Sequence, residues 1–142
     1  MKVFSEALTV QTGEPLELID ITKRIKDLLK SSNIKDGLAN LVSLHTTTAV
    51  LLNEAQQALL DDLRGFIKGI VDDAAPFKHN DPDYSDCDRH NASSHVRGLA
   101  FGQTLTVPIL DGKLVLGRWQ AILFAEFDGP QKRQLQVQLV GE

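Results

Sequence analysis

The chain has 142 residues, of which 42% are hydrophobic and 24% charged, and 19 acidic against 15 basic side chains give a formal charge of −4. This length suits a single domain over residues 1–142 with a proper core. The acidic balance without a basic stripe argues against nucleic acid, and no apolar run approaches the roughly 20 residues that span a bilayer. One cysteine excludes an internal disulfide, and the N-terminus lacks a signal-peptide apolar block, so we expect a cytoplasmic protein.

Apolar spacing and turn residues predict the elements of the fold: alternation favours strands, helical spacing favours helices, and Gly, Pro and Asp-Gly mark turns. In chain order, the sequence predicts a hairpin of strands at 2–11 and 16–21, a helix at 23–32, one or two buried strands within 38–52 interrupted near 45–48, a helix at 55–71, a loop at 72–89, a short helix at 91–99, and strands at 104–110, 114–127 and 134–140. This order predicts an α+β fold, a single compact domain that is mainly antiparallel sheet or sandwich with a few helices.

A segment that otherwise predicts buried strand carries several polar groups. It contains His45 and Thr47 and ends at Asn53 and Glu54. Unpaired burial of such groups costs several kcal/mol, so they must meet partners, a ligand, a metal or solvent in a cleft. The structural alternatives are a strand histidine bonded to a hydroxyl and an Asn-Glu pair that caps the following helix.

Two further histidines lie beside polar neighbours. Asn91 and His95 are four residues apart, which places them on one face of the short helix. His79 lies in the aspartate-rich loop, where a carboxylate could orient its ring. We therefore expect His45, His79 and His95 to converge on one cleft. Three imidazoles and a carboxylate suit zinc, although the separation of these histidines matches no local metal motif.

A third group follows the Asp111-Gly112 turn. Arg118, Gln120 and Glu126 share one face of the predicted strand 114–127, where apolar residues would be usual. Arg118, Lys132 and Arg133 could bind a phosphate or a carboxylate. The alternative to an anion site is that these are ordinary exposed basic residues near a turn.

Together these motifs resemble the YjbQ-like family, also called the secondary thiamine-phosphate synthase enzyme family. The resemblance covers nearly the whole chain, in the order His45-Thr46-Thr47, Asn53-Glu54, Asn91 with His95, Pro108 before Asp111-Gly112, Leu116-Gly117 with Trp119-Gln120, and Glu126 with Asp128-Gly129-Pro130 and Arg133. The chain departs from the family pattern at Arg118, where members usually have a small residue, and at Gln131, where they usually have arginine.

The resemblance implies a compact α+β fold, a homotrimer and a polar cleft near the three histidines, at a subunit boundary. It also suggests an enzyme of thiamine-phosphate-synthase type, in which a thiazole nitrogen displaces pyrophosphate from an aminopyrimidine methyl diphosphate. A cation on the diphosphate would assist that reaction, so a divalent ion, zinc or magnesium, is expected and no organic cofactor. The chain lacks a Gly-rich phosphate cradle, which weighs against a diphosphate substrate.

Three functional hypotheses stay open, and all of them expect a small-molecule partner rather than nucleic acid or a membrane. The first is the synthase-type enzyme on a phosphorylated substrate. The second is a zinc-dependent hydrolase, and the third is a non-catalytic trimeric module that binds a metal or a metabolite. The candidate residues are His45, Glu54 and His95 for catalysis; Thr47, Asn53, Asn91, Arg118, Gln120, Glu126 and Arg133 for substrate binding; and His45, His79 and His95 for a metal.

Overall fold

The computed structural model describes residues 1–142 and contains two antiparallel sheets and three α-helices. The elements are β1 (Lys2–Gln11), β2 (Glu17–Asp20), α1 (Thr22–Ser32), β3 (Gly37–Ser43), β4 (Thr48–Asn53), α2 (Gln57–Gly69), α3 (Ala92–Phe101), β5 (Thr104–Leu110), β6 (Lys113–Leu114), β7 (Ala121–Glu126) and β8 (Lys132–Gly141), with one 3₁₀ turn at Lys78–Asn80. The larger sheet has the order β1-β8-β3-β5-β6 and the smaller one β2-β7-β4. The predicted α+β fold of mainly antiparallel strands is confirmed.

The two sheets pack face to face around the main core. Leu41, Val107 and Leu135 of the larger sheet meet Val50 and Phe124 of the smaller one, and helix α1 adds further buried side chains to the same cluster. Removing such apolar surface from water stabilises the fold by about 25 cal/mol per Å². None of the three helices combines the length and apolar character needed to cross a membrane.

Strand β7 is buried along its whole length. Ile122 and Phe124 contribute to the core between the sheets, whereas Ala125 packs with Ile67 of α2 on the opposite side. Because side chains alternate along a strand, Glu126 points to the same side as Phe124, into the space between the sheets. The fold therefore places a carboxylate in its interior, where it requires charged or hydrogen-bonding partners.

The predicted opening hairpin does not form. β1 pairs with β8 from Lys2↔Gly141 to Gln11↔Lys132, whereas β2 pairs with β7. The connection between them crosses from one sheet to the other, because the backbone N–H of Thr12 donates to the carbonyl of Gln131 rather than to β2. Pairing of β1 with the ten-residue strand β8 therefore determines the fold here, although the turn residues between β1 and β2 predict a hairpin.

The predicted strand 114–127 is also wrong, because it is broken into β6 and β7 by a loop over residues 115–120. Within this loop the backbone N–H of Gly117 donates to Gln120 Oε1 at 2.8 Å, and the N–H of Gln120 donates to the Gly117 carbonyl at 3.0 Å. Arg118 and Gln120 therefore lie in a turn and do not share a strand face with Glu126. The Asp111-Gly112 turn between β5 and β6 is present as predicted.

Candidate functional site

An open cleft of about 330 Å³, here called the histidine cleft, lies where several chain connections meet. The β3–β4 connection contributes His45 and Thr47, the start of α3 contributes Asn91 and His95, and β8 contributes Arg133. The strands β4 and β7 are antiparallel neighbours, so the start of one and the end of the other lie side by side. This topology brings together residues that are far apart in the sequence.

The floor of the histidine cleft is a buried ion pair. Arg133 is 3% exposed and Glu126 0% exposed. The Arg133 guanidinium donates from Nε to Glu126 Oε1 at 2.8 Å, and from Nη2 to Glu126 Oε2 at 2.5 Å and to Thr47 Oγ1 at 2.8 Å. The hydroxyl of Thr12 donates to Glu126 Oε1 at 2.7 Å.

These contacts leave one donor of the guanidinium unused. Nη1 of Arg133 has no hydrogen-bond partner in the protein, and it is not sealed from solvent. Since Arg133 lines the histidine cleft, this amino group is available to an anion that enters. Glu126 and Thr47 fix the guanidinium, so little ordering is needed when a ligand binds.

His45 is held as a neutral hydrogen-bond donor. Its Nε2 accepts the backbone N–H of Gln134 at 2.8 Å, so in the neutral ring the hydrogen is on Nδ1. Burial lowers the pKa of His45, and the positive charge of Arg133 lowers it further against an opposing effect of Glu126. The ring can therefore donate from Nδ1, whereas neither nitrogen offers a free lone pair.

His95 differs because its ring makes no hydrogen bond within the protein. It lies edge-on to His79, with ring centroids 4.9 Å apart at 83°. Burial lowers the pKa of His95, and the neighbouring His79 adds to this effect while Asp128 opposes it. His95 is therefore a neutral imidazole at neutral pH with a nitrogen able to accept a proton or a hydrogen bond.

A hydrogen-bond chain behind His95 orients its surroundings. Asn91 Nδ2 donates to Asp128 Oδ2 at 2.9 Å, which fixes the amide orientation because a carboxylate only accepts. Asn91 Oδ1 then accepts from His79 Nε2 at 3.0 Å. The Asn91 side chain makes no capping hydrogen bond to α3. It links the loop to the turn after β7.

The candidate site residues named from the sequence omit Arg89, Asp128 and Gln131 of the histidine cleft, although Asp128 belongs to the family motif and Gln131 is one of the departures from it. Arg89 Nε donates to Asp128 Oδ2 at 2.9 Å, and Gln131 Nε2 donates to the Asp128 carbonyl at 2.7 Å. The signals that could have found them are the position of Arg89 two residues before Asn91 and that of Asp128 two residues after Glu126.

The three histidines do not form a metal site within this chain. No group of three or more His, Cys, Asp or Glu side chains is arranged to hold a metal ion. His45 Nε2 is occupied by a backbone N–H, and His79 Nε2 donates to Asn91. In the acidic loop, Asp73 pairs with Arg97 and Lys68. Within one chain, these side chains therefore do not supply three donors for the predicted zinc or magnesium centre.

Other candidate residues lie in a second cavity of about 600 Å³, here called the tryptophan cavity, which is lined by Glu54, Arg118, Trp119 and Gln120 among others. It lies at the opposite end of β4 and β7 from the histidine cleft, and a six-residue strand separates the two by roughly 17 Å. Glu54 is therefore not beside His45 or His95. Asn53 is exposed and accepts the Glu54 backbone N–H, and it lines neither site.

Comparison with known proteins gives consistent matches over the whole fold. The sequence profile of the family described as UPF0047 protein YjbQ-like matches residues 6–142. The chain is 39% identical to a UPF0047 protein of Methanothermobacter thermautotrophicus, over 100% of this chain and 95% of that protein. It is 32% identical to UPF0047 protein YugU of Bacillus subtilis, over 96% and 98% of the two chains.

Solved structures agree with these sequence matches. A YbjQ-like protein of unknown function from Sulfolobus solfataricus P2 superposes with a TM-score of 0.92 at 33% identity, covering 99% of each chain. A conserved hypothetical protein from Thermus thermophilus superposes with a TM-score of 0.80 at 29% identity, covering 95% of this chain and 99% of that one. The resemblance inferred from the sequence is thereby confirmed, and the chain belongs to the YjbQ/UPF0047 family.

Proposed function

We propose that the histidine cleft binds the phosphate or diphosphate group of a small molecule and that the chain is an enzyme acting on that molecule. The observation that supports this most directly is Arg133: its guanidinium is almost fully buried, fixed by Glu126 and Thr47, and its Nη1 is free at the cleft. A donor fixed in advance needs no reorganisation when negative charge develops on a ligand.

The groups around Arg133 also favour the binding of an anion. His45 offers the Nδ1 hydrogen, and Arg89 at the rim adds a second guanidinium. Two carboxylates lie close by, but both are engaged: Glu126 with Arg133, and Asp128 with Arg89 and Asn91. Charge-assisted hydrogen bonds to phosphate oxygens are among the stronger polar contacts in proteins.

The reaction we propose is of thiamine-phosphate-synthase type. The thiazole nitrogen attacks the methylene carbon of the aminopyrimidine diphosphate, a C–N bond forms, and the C–O bond to the diphosphate breaks as pyrophosphate leaves with the electron pair. Arg133 and His45 would donate to the oxygens of the leaving pyrophosphate. His95, neutral and unpaired, would accept a hydrogen bond from the aminopyrimidine. Positioning and electrostatics carry such a reaction, and no residue needs to form a covalent bond with the substrate.

A second candidate function is hydrolysis of a phosphate ester. It is supported by the unpaired neutral ring of His95 on the same cleft, since such a ring can take a proton from an attacking water. The side chains of this chain do not assemble a donor set for zinc, so His95 is the group that would activate the water.

The first measurement is calorimetric titration of the purified chain with pyrophosphate, with and without a chelator. We expect saturable binding in both conditions, weakened about tenfold by Arg89→Gln. His90→Asn is the matched control because His90 is exposed, lies next to Arg89 and has a positive φ that asparagine tolerates. Wild-type protein that binds no pyrophosphate would refute the anion site.

The second measurement follows release of pyrophosphate and formation of thiamine phosphate from the two synthase substrates. His95→Leu is expected to reduce turnover about 100-fold while changing pyrophosphate affinity less than about twofold, because it removes the acceptor that positions the aminopyrimidine. Full turnover in His95→Leu would exclude the proposed role of His95. Turnover that is abolished by the chelator and restored by zinc or magnesium would show that a metal completes the site.

A further inference from the structure

We propose that the tryptophan cavity is a second ligand site, separate from the histidine cleft, and that it takes a phosphorylated heteroaromatic compound of the nucleotide class. It is the larger of the two cavities, about 600 Å³ against about 330 Å³. The start of α1, the β4–α2 connection and the loop before β7 line it, and it is open to solvent on its remaining side.

The charged groups of the tryptophan cavity fall into two sets. Asp20 and Lys23 are satisfied locally, since Asp20 accepts from Thr22 at 2.6 Å and Lys23 pairs with Asp27. Lys26, Arg118 and Glu54 also line the cavity, and their side chains form no ion pair or hydrogen bond in the protein.

Two cations and one carboxylate are therefore left for a ligand. Lysine and arginine without an internal partner can each donate several hydrogen bonds to phosphate oxygens. The carboxylate of Glu54 can accept from an exocyclic amino group or a hydroxyl.

The aromatic surface of the cavity comes from Trp119, the only tryptophan of the chain. Trp119 is 62% exposed, which is unusual for a residue with so large an apolar group. The Arg118 guanidinium carbon lies 4.7 Å from the ring centroid, so cation and ring already form one stacked unit. An exposed ring next to free cations suits a ligand that combines a flat heterocycle with an anionic group.

The walls of the cavity are formed in advance. The turn that presents Trp119 is closed by the hydrogen bond from Gly117 N–H to Gln120 Oε1 at 2.8 Å, and a Cβ on Gly117 would lie 3.2 Å from that oxygen. Gln120 Nε2 is left without a protein partner. On the opposite wall, the Thr22 hydroxyl accepts the Ile122 N–H at 2.8 Å and ties α1 to β7.

The lining favours a small ligand over a protein partner. Trp119 is its one large apolar residue, and the other two hydrophobic lining residues are Ala55 and Ala121. Protein interfaces of ordinary size have an apolar core of several large residues. A concave wall with one aromatic ring and several convergent polar groups is instead typical of small-molecule sites.

The intrinsic fluorescence of Trp119 tests the proposal directly, because no other tryptophan contributes. Titration of the full chain with AMP should give saturable quenching, and ribose 5-phosphate and adenosine, which each lack one half of AMP, should bind at least about tenfold more weakly. Arg118→Gln and Lys26→Gln should each weaken AMP binding about tenfold. Lys30→Gln, which lies on the same helix outside the cavity, is the control.

Absence of saturable quenching by AMP at millimolar concentration would overturn the proposal. So would unchanged affinity in Arg118→Gln, or equal affinity for ribose 5-phosphate and AMP, which would remove the heteroaromatic half. A fluorescence change that follows protein concentration rather than AMP would assign Trp119 to contact between copies of the chain. His95→Gln should leave AMP binding unchanged, so the proposals for the tryptophan cavity and for the histidine cleft are tested independently.

Discussion

Arg133 of β8 and Glu126 of β7 form an ion pair with two parallel contacts across the space between the two sheets, with Nε–Oε1 and Nη2–Oε2 distances of 2.8 and 2.5 Å. The pair joins the larger sheet to the smaller one and also forms the floor of the histidine cleft. Removing one partner leaves the other charge buried and unpaired, which costs far more than an exposed ion pair contributes.

Glu126→Gln tests this relationship. The amide keeps the shape of the side chain but removes the negative charge opposite Arg133, so we expect the free energy of unfolding to fall by about 3 kcal/mol. Urea unfolding followed by circular dichroism measures it. Glu6→Gln is the control, because Glu6 is an exposed residue of β1, and its change should stay within about 0.5 kcal/mol. Equal stability of the two variants would contradict the proposed role of the pair.

Arg97 is a second buried arginine, and no sequence signal singles it out. It is 2% exposed and donates to the carbonyls of Ile67, Lys68 and Val71 at the end of α2, and to Asp73. These contacts hold the first part of the acidic loop against the end of α2. The guanidinium also lowers the pKa of Asp73 through its hydrogen bond, with Lys68 and Ser93 contributing.

We expect Arg97→Met to destabilise the chain by about 3 kcal/mol, because three carbonyl oxygens lose their donor. Arg24→Met on the exposed face of α1 should change stability by no more than about 0.5 kcal/mol. Hydrogen exchange provides a second measurement: protection should fall at the end of α2 and in residues 72–80 of the Arg97 variant. Retained protection there would mean that Arg97 does not hold the loop.

Stability should depend on pH through the two histidines of the cleft. Burial lowers the pKa of His45 and His95 in the folded chain below the ordinary value of 6.5. The unfolded chain then binds protons more readily than the folded chain, so the free energy of unfolding is highest above about pH 7 and decreases as the pH falls through 6.5 toward the folded-state pKa values.

Urea unfolding at about pH 7.5 and about pH 5.5 measures this difference. His95→Gln removes one of the two groups and should reduce the loss of stability on acidification. His90→Asn, which removes an exposed histidine, should leave the loss as in the wild type. If His95→Gln and His90→Asn both lose as much stability on acidification as the wild type, the lowered pKa of His95 does not contribute to the pH dependence of stability.

The outer face of the larger sheet is the surface through which we expect the homotrimer to assemble. Strand alternation and the pairing register place on this face Val3, Ser5, Ala7, Thr9, Leu38, Asn40, Val42, Thr104, Thr106, Pro108, Leu110, Gln134, Gln136, Gln138 and Val140. None of these residues is charged, and the same face carries charge at its margins, with Lys132 at the start of β8 and Lys113 on the edge strand β6. Cores of interfaces between subunits are depleted of charged residues in the same way.

We expect light scattering to give three times the chain mass of 15.6 kDa at micromolar concentration. Val42→Lys places a charge in the middle of the uncharged face, next to Gln136 and Thr104, and should yield monomers. Phe66→Lys, at an exposed apolar residue of α2, is the matched control and should remain trimeric. A monomeric wild type would refute the assembly, and dissociation by Phe66→Lys alone would assign the contact to α2.

The histidine cleft can be predicted from the sequence where each signal is local. His45, Thr47, Asn91, His95 and Arg133 stand out because polar groups in apolar segments need partners, and the structure brings these five together. Their selection does not depend on knowing which strands pair. The resemblance to the family has the same basis, since it follows motif order and not geometry.

Predictions that require a pairing partner or strand continuity fail. The prediction that Arg118 and Gln120 share a face with Glu126 assumes one continuous strand, in which side chains alternate between the two faces. The turn closed by Gly117 and Gln120 interrupts that strand. Glu54 follows His45 closely in sequence, yet β4 carries the chain away from the histidine cleft. Tertiary contacts decide both cases, and one-dimensional spacing does not encode them.

Strand β7 runs between the two cavities, with Ala121 lining the tryptophan cavity and Glu126 under the histidine cleft. An inserted or deleted residue within this strand would turn every following side chain to the opposite face and expel the carboxylate from the space between the sheets. The preceding loop at residues 115–120 is under no such constraint. Insertions and deletions among descendants of this chain should therefore accumulate in that loop. They would change the shape of the tryptophan cavity and leave the side chains of the histidine cleft in place.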